Sequence, residues 1–137
     1  MWQAYTERCR RVIFYAQEVA AELDQRLVAP EHLYLGLLRE GNSNAVDMLE
    51  KRGIDRLQLT ALILEQCKLG DWRRHIGDME LSDASKHVLD VTYAVARDAS
   101  FQRGDSVYVG TEHLLAALIE HTGIGALPTE EEKTDAP

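Results

Sequence analysis

The segment that opens at Thr6 returns at Ser82. Set in register, Thr6 pairs with Ser82, Glu7 with Asp83, Val12 with Val88 and Ile13 with Leu89, and the match continues through Val19 with Val95, Ala20 with Ala96 and Glu22 with Asp98. Five extra residues then enter the second copy around Gln102 to Ser106. Beyond them Glu31-His32-Leu33 aligns with Glu112-His113-Leu114, and Leu37-Leu38 with Leu118-Ile119. A loop between helices absorbs such an insertion at little thermodynamic cost. Two copies are too few for a stacked array, so the duplication predicts a pseudo-twofold bundle.

The repeated unit reads as helices. Val12, Ile13, Ala16, Val19, Ala20 and Leu23 recur with the spacing of one helical face. Thr6 stands where an N-cap belongs, with Glu7 against the positive end of the dipole. Pro30 suits a first helical turn and opens a second helix carrying Leu33, Leu37 and Leu38 inward; Gly41-Asn42-Ser43 breaks it. A short helix through Ala45, Val46 and Leu49 follows, stopped at Gly53. Asp55 opens a fourth, with Leu59, Leu62, Ile63 and Gln66 along one stripe, fading at Gly70. In the second copy, Ser82-Asp83 repeats the cap, and the helix carries Val88, Leu89, Val91, Val95 and Ala96. Thr111 is expected to cap the last helix, which buries Leu114, Leu115, Leu118 and Ile119. Only Val107-Tyr108-Val109 shows a brief alternation, so the fold class is all-α.

At 137 residues the chain has room for one domain. Fifteen basic against 23 acidic residues leave a net charge of -8, which argues against nucleic acid as a partner. Cys9 and Cys67 are too few for a disulfide framework and lack zinc-ligand spacing; they read as reduced thiols. The N-terminus has no signal-peptide core, and no window reaches the ~18 apolar residues of a membrane span. A cytoplasmic protein without membrane contact is expected.

Residues Tyr5-Thr6-Glu7-Arg8-Cys9-Arg10-Arg11-Val12, Ala16-Gln17-Glu18, Glu31-His32-Leu33 and Gly36-Leu37-Leu38-Arg39-Glu40-Gly41 resemble the Clp repeat domain. That double repeat forms the N-terminal domain of Clp-type AAA+ unfoldases. The second copy is closer still, at Tyr108-Val109-Gly110-Thr111-Glu112-His113-Leu114-Leu115. The resemblance spans residues 5 to about 127. It implies two four-helix repeats that dock adaptors or substrates for ATP-driven unfolding.

Three departures from the family pattern stand out. No G-x-x-x-x-G-K-[ST] loop is present, so the chain has no such cradle for a nucleotide and no cofactor is expected. Ala29-Pro30 stands where the family usually has Gly-Thr. The second copy stops early: Ala45-Val46 aligns with Ala126-Leu127, and Pro128 follows. The domain is therefore placed at residues 1–127, with repeat one at 5–69, a linker at 70–80 and a truncated repeat two at 81–127. Trp72 and Ile76 are expected to tether the linker, and residues 128–137 to form a disordered acidic tail. Loss of the last helices should thin the cover over Val95 and Leu118, favouring rearranged packing or self-association.

Glu31 and Glu112 are the leading site candidates, each opening a helix and each followed by His. As plain residues they complement helix dipoles. The resemblance implies more: in some family members the corresponding glutamates help hold a phosphorylated arginine that marks substrates. A carboxylate can pair with the guanidinium, while helix amides beside Thr6 or Ser82 and the start at Thr111 take the phosphate. Trp2, Tyr5 and Leu81 could form an apolar partner patch, or Tyr5 could staple the first turn. His32 and His113 read as capping or packing residues, since no metal-binding H-x-x-x-H or H-E-x-x-H occurs. No nucleophile–base pair marks an enzyme.

The resulting expectation is a non-enzymatic binding module of the Clp protease system, partnered by adaptors or by tagged substrates. The alternatives are the regulatory N-terminal domain of a longer unfoldase, and a self-assembling helical protein with no ligand site.

Overall fold

A computed structural model describes residues 2–67, 80–104 and 106–125. Most of the expected linker, with Gly70, Trp72 and Ile76, and the whole acidic tail lie outside the described residues. The fold is all-α. A 3-10 turn at Trp2–Ala4 leads into α1 (Glu7–Glu22), α2 (Pro30–Glu40), α3 (Asn44–Lys51) and α4 (Arg56–Gln66). The second copy supplies α5 (Asp83–Arg103) and α6 (Thr111–Thr122). Two-residue strands β1 (Leu27–Val28) and β2 (Glu80–Leu81) lie just ahead of α2 and α5.

The same cap starts both copies. The Thr6 hydroxyl accepts from the Cys9 N–H at 3.2 Å, and the Ser82 hydroxyl accepts from the Ser85 N–H at 3.1 Å. Ser43 and Asp55 cap α3 and α4 in the same way. Gly41 and Gly104 end α2 and α5 in the left-handed conformation, with φ of 69° and 74°. Two local expectations need correction. Gly110, not Thr111, is the cap of α6, and Thr111 is its first helical residue. On α4 only Leu59 and Ile63 are buried, while Leu62 and Gln66 face outward. This helix is apolar around most of its circumference, so its periodicity did not mark the inner face.

The copies interlock through crossed backbone pairing. The Thr6 N–H donates to the Val109 carbonyl at 2.9 Å, and the Val109 N–H donates to the Ala4 carbonyl at 2.7 Å. Tyr5 and Val109 thus form a parallel bridge. In the other pair, β1 runs parallel to β2, with Leu27 opposite Glu80 and Val28 opposite Leu81, and the Ser82 N–H donates to the Val28 carbonyl at 3.0 Å. These are symmetry-related contacts. The segment entering the first helix of each copy is tied to the segment entering the second helix of the other.

The core lies between these two ties. Val12, Ala16, Leu33, Leu37, Leu114 and Leu118 are fully buried. Helix α6 packs on α5, α2 and α3, so helices of the first copy cover the second. This overturns the expected exposure around Leu118, which is 0% exposed, while Val95 is half-buried. The most extensive helix contact is α1 on α2. It depends on Gly36, where an added Cβ would stand 2.5 Å from the Val12 carbonyl oxygen and 2.7 Å from the Ala16 nitrogen. Both are backbone atoms in a helix and cannot swing aside.

Gly36→Ala should therefore destabilise the fold by about 1–3 kcal/mol through overpacking, outweighing alanine's better helix propensity. Urea denaturation followed by circular dichroism measures this. An unchanged or raised midpoint would show that the α1–α2 crossing can open without cost.

Candidate functional site

The bridge between Tyr5 and Val109 puts two helix starts side by side, because Thr6 caps α1 and Gly110 caps α6. A third joins them: the Ala45 N–H, in the first turn of α3, donates to the Thr111 Oγ1 at 3.3 Å. Thr111 thus serves the start of another helix rather than its own. The three helix starts line a cavity of about 410 Å³, together with Arg8, Asp47, Tyr108 and Glu112.

Helix N-termini present N–H groups and positive dipole ends, which suit an anion. Arg8 adds a cation beside them. Its guanidinium is held at 3.0 Å by the Glu40 carboxylate, whose side chain is 5% exposed, and it also reaches the Asn42 carbonyl. The same first turns carry carboxylates, Glu7 on α1, Asp47 on α3 and Glu112 on α6, so both signs of charge line the cavity. Glu112 Oε2 accepts from Asn44 Nδ2 at 3.0 Å, while its Oε1 is buried with no hydrogen-bond partner. A buried acceptor without a donor leaves capacity for one from a ligand.

His113 holds the α6 start from within. It is buried, and its Nδ1 accepts from the Gly110 N–H at 3.0 Å. His32 does the same in the first copy, accepting from the Ala29 N–H at 2.8 Å. Each His takes the place of the Glu or Gln that reaches back to the cap in a capping box. His113 Nδ1 also lies 3.6 Å from Glu112 Oε1. With Nδ1 already accepting, the ring is neutral there and no ion pair forms. Burial lowers the affinity of both rings for a proton, against the opposing influence of Glu31 on His32 and of Glu112 on His113.

Of the residues singled out in the sequence, Thr6, Thr111 and Glu112 meet in the cavity. Ser82 belongs to the other tie, and Glu31 is half-buried at the start of α2 beside β1. Trp2 is 50% exposed, stacks on Tyr5 at 5.2 Å and lies under the Arg10 guanidinium at 5.6 Å. Tyr5 itself is 4% exposed and forms part of the core, so it offers no surface anchor. Leu81 is half-buried in the other ladder and shares no patch with Trp2 through the strand pairing. Arg8, Ser43, Asn44 and Asp47 were not anticipated as site residues. They sit on the first copy but serve the second, and nothing in their own spacing marks that. Burial pushes the Cys9 thiol up to about 12 and the Cys67 thiol up to about 11, so both stay protonated. Among the described residues no group of three or more His, Cys, Asp or Glu could hold a metal ion, and no helix is long and apolar enough to cross a membrane.

A family model described as the Clp repeat (R) N-terminal domain matches residues 4–128. The ATP-dependent Clp protease ATP-binding subunit ClpC of Staphylococcus aureus is 32% identical over 124 residues, covering 88% of this chain and 14% of that protein. The chain thus spans about one seventh of the curated relatives it matches. Among solved structures, the N-terminal domain of the ClpV1 ATPase from the E. coli EAEC Sci1 T6SS superposes with a TM-score of 0.68 at 20% identity, covering 89% of this chain and 71% of that one. A structure named for a peptide from the EAEC T6SS Sci1 SciI protein gives the same TM-score and identity, covering 89% and 74%. At that identity the two structures speak to fold alone.

The buried histidines set a pH dependence. Their folded pKa lies below the unfolded value of about 6.5, so as pH falls through that value the unfolded chain binds protons first. The stability they contribute is complete above about pH 6.5 and declines as pH falls toward their lower folded pKa. Urea midpoints measured from neutral to mildly acidic pH should fall, and His32→Gln with His113→Gln should flatten that dependence. An equally steep profile in the double variant would place the titration elsewhere.

Proposed function

The chain belongs to the Clp repeat N-terminal domain family, and from that membership we propose that it is a docking module whose cleft at Glu112 takes a protein ligand of a Clp system. One observation carries the reading: Glu112, whose carboxylate keeps one oxygen without a hydrogen-bond partner, lines a cavity where three helix N-termini meet. The lining suits a ligand that both donates hydrogen bonds, for Glu112, and carries negative charge, for the helix N-termini and Arg8.

A phosphorylated arginine has that form. Its guanidinium portion can donate to Glu112 Oε1, while the phosphate meets the N-terminal amides of α1, α3 and α6 with Arg8 beside them. Catalysis is not part of this reading; the cleft holds a tag while another component acts. The role is the same whether the module acts alone or as the N-terminal segment of an ATP-driven unfoldase. A self-assembly reading draws support from α4 instead, where Leu57, Leu62 and Leu64 are 72%, 45% and 44% exposed.

Fluorescence anisotropy with an arginine-phosphorylated peptide should give saturable binding that weakens as salt rises. The unmodified peptide should bind about tenfold more weakly or worse, given the loss of charge-assisted hydrogen bonds. Equal affinity for both peptides would leave a docking surface that does not read phosphate. No binding of either would remove the cleft from consideration and return attention to assembly, which light scattering across a concentration series would detect.

A further inference from the structure

We infer that the two symmetry-related edges of the domain are unequal, and that the chain binds one ligand, at the Glu112 edge, while the Glu31 edge is a structural joint. This rests on the docking reading above and adds its stoichiometry and the residue that sets it.

The deciding position is Gly110. Its φ is -99°, which any residue can adopt, so the backbone does not require glycine there. What an added Cβ would displace is the Glu112 carboxylate. A Cβ at Gly110 would stand 1.7 Å from Glu112 Oε1, so the carboxylate lies folded over the α6 start in the volume a methyl group would fill. The matching residue in the first copy is Ala29, two positions before Glu31, and its Cβ occupies that volume. Glu31 cannot place its carboxylate as Glu112 does.

Three further differences fall on the same edge. Thr111, with an N–H and a hydroxyl, is matched by Pro30, which has neither. Arg8, the cation of the cleft, is matched by Ala84, and Asn44, the donor to Glu112, by Gly125. The Glu31 edge has a fastening in exchange. Ser85 Oγ donates to the Val28 carbonyl at 2.6 Å, and the Ser82 N–H reaches the same carbonyl at 3.0 Å. The residue matching Ser85 at the other edge is Cys9, whose thiol is only a weak hydrogen-bond donor. Among the described residues one edge gains a hydroxyl tie, and the other carries the cavity described above.

Calorimetric titration with phosphoarginine tests this on the intact chain and on Glu112→Gln, Glu31→Gln and Gly110→Ala. The parent should bind one equivalent. Glu112→Gln should lose affinity by about tenfold or more, and Glu31→Gln should stay within about twofold. Gly110→Ala retains the glutamate and an allowed backbone but displaces its carboxylate, so it too should lose about tenfold or more. Thermal melts confirm that each variant is folded; Gly110→Ala keeps the test usable if Glu112→Gln is not. Two equivalents, or equal losses at Glu31 and Glu112, would overturn the inequality and leave the docking reading standing. Unchanged affinity in Gly110→Ala would overturn the role given to that position. Absence of saturable binding in the parent would overturn both the inference and the reading beneath it.

Discussion

Two crossed backbone hydrogen bonds, from Thr6 to Val109 and from Ser82 to Val28, set the position of everything else in this domain. A parallel pairing of one or two residues has little stability of its own. Here it persists because Tyr5, Val28 and Val109 are 4% exposed or less and pack within the helical core. The dependence is mutual. Without the ties the two copies would be free to slide, and without the core the ties would dissolve in water. Because each tie joins the lead-in of one copy to that of the other, the helix starts beyond them are brought together, and the cleft is a by-product of that crossing.

This explains which parts were legible in the sequence. Helix starts depend on residues within four positions, so Thr6, Asp55 and Ser82 announced themselves as openings, while Ser43, read only as part of a break, proves to cap α3. The repeat was legible because both copies keep the same buried positions. The cleft was only half legible. Glu112 and Thr6 were each visible, but their meeting depends on a bridge between residues 5 and 109, and Asn44 reaches Glu112 across 68 positions. No local pattern carries such a pairing. Thr111 misled for the same reason: a hydroxyl at a helix start usually serves that helix, and this one serves α3. The cover over Leu118 was misjudged by treating each copy as responsible for its own core.

Duplication also explains how one fold can hold two edges with different tasks. The shared requirements, a capped helix start and a carbonyl to receive its lead-in N–H, are met at both. Beyond them the residues diverge without disturbing the core. At one edge Ser85 turns its hydroxyl to the Val28 carbonyl. Its counterpart Cys9 is wholly buried and serves packing.

The composition of the surviving cleft bears on what it can discriminate. A bare phosphate would gain the helix N-termini and Arg8 but would face the carboxylates of Glu7, Asp47 and Glu112. An unmodified arginine would pair with Glu112 but leave the helix N-termini without an anion and meet Arg8 as a like charge. A ligand carrying one sign of charge thus gains some of the lining groups and is repelled by others. Only a ligand with a donor and an anion a few ångströms apart gains both kinds of group, and it supplies the partner that Glu112 Oε1 lacks, an omission worth about 1–3 kcal/mol for a buried polar atom. Selectivity of this kind comes from the repulsive half of the site as much as from the attractive half. Removing Glu112 should therefore admit simple anions even as it weakens the zwitterionic ligand, which distinguishes a discriminating cleft from a generic anion pocket.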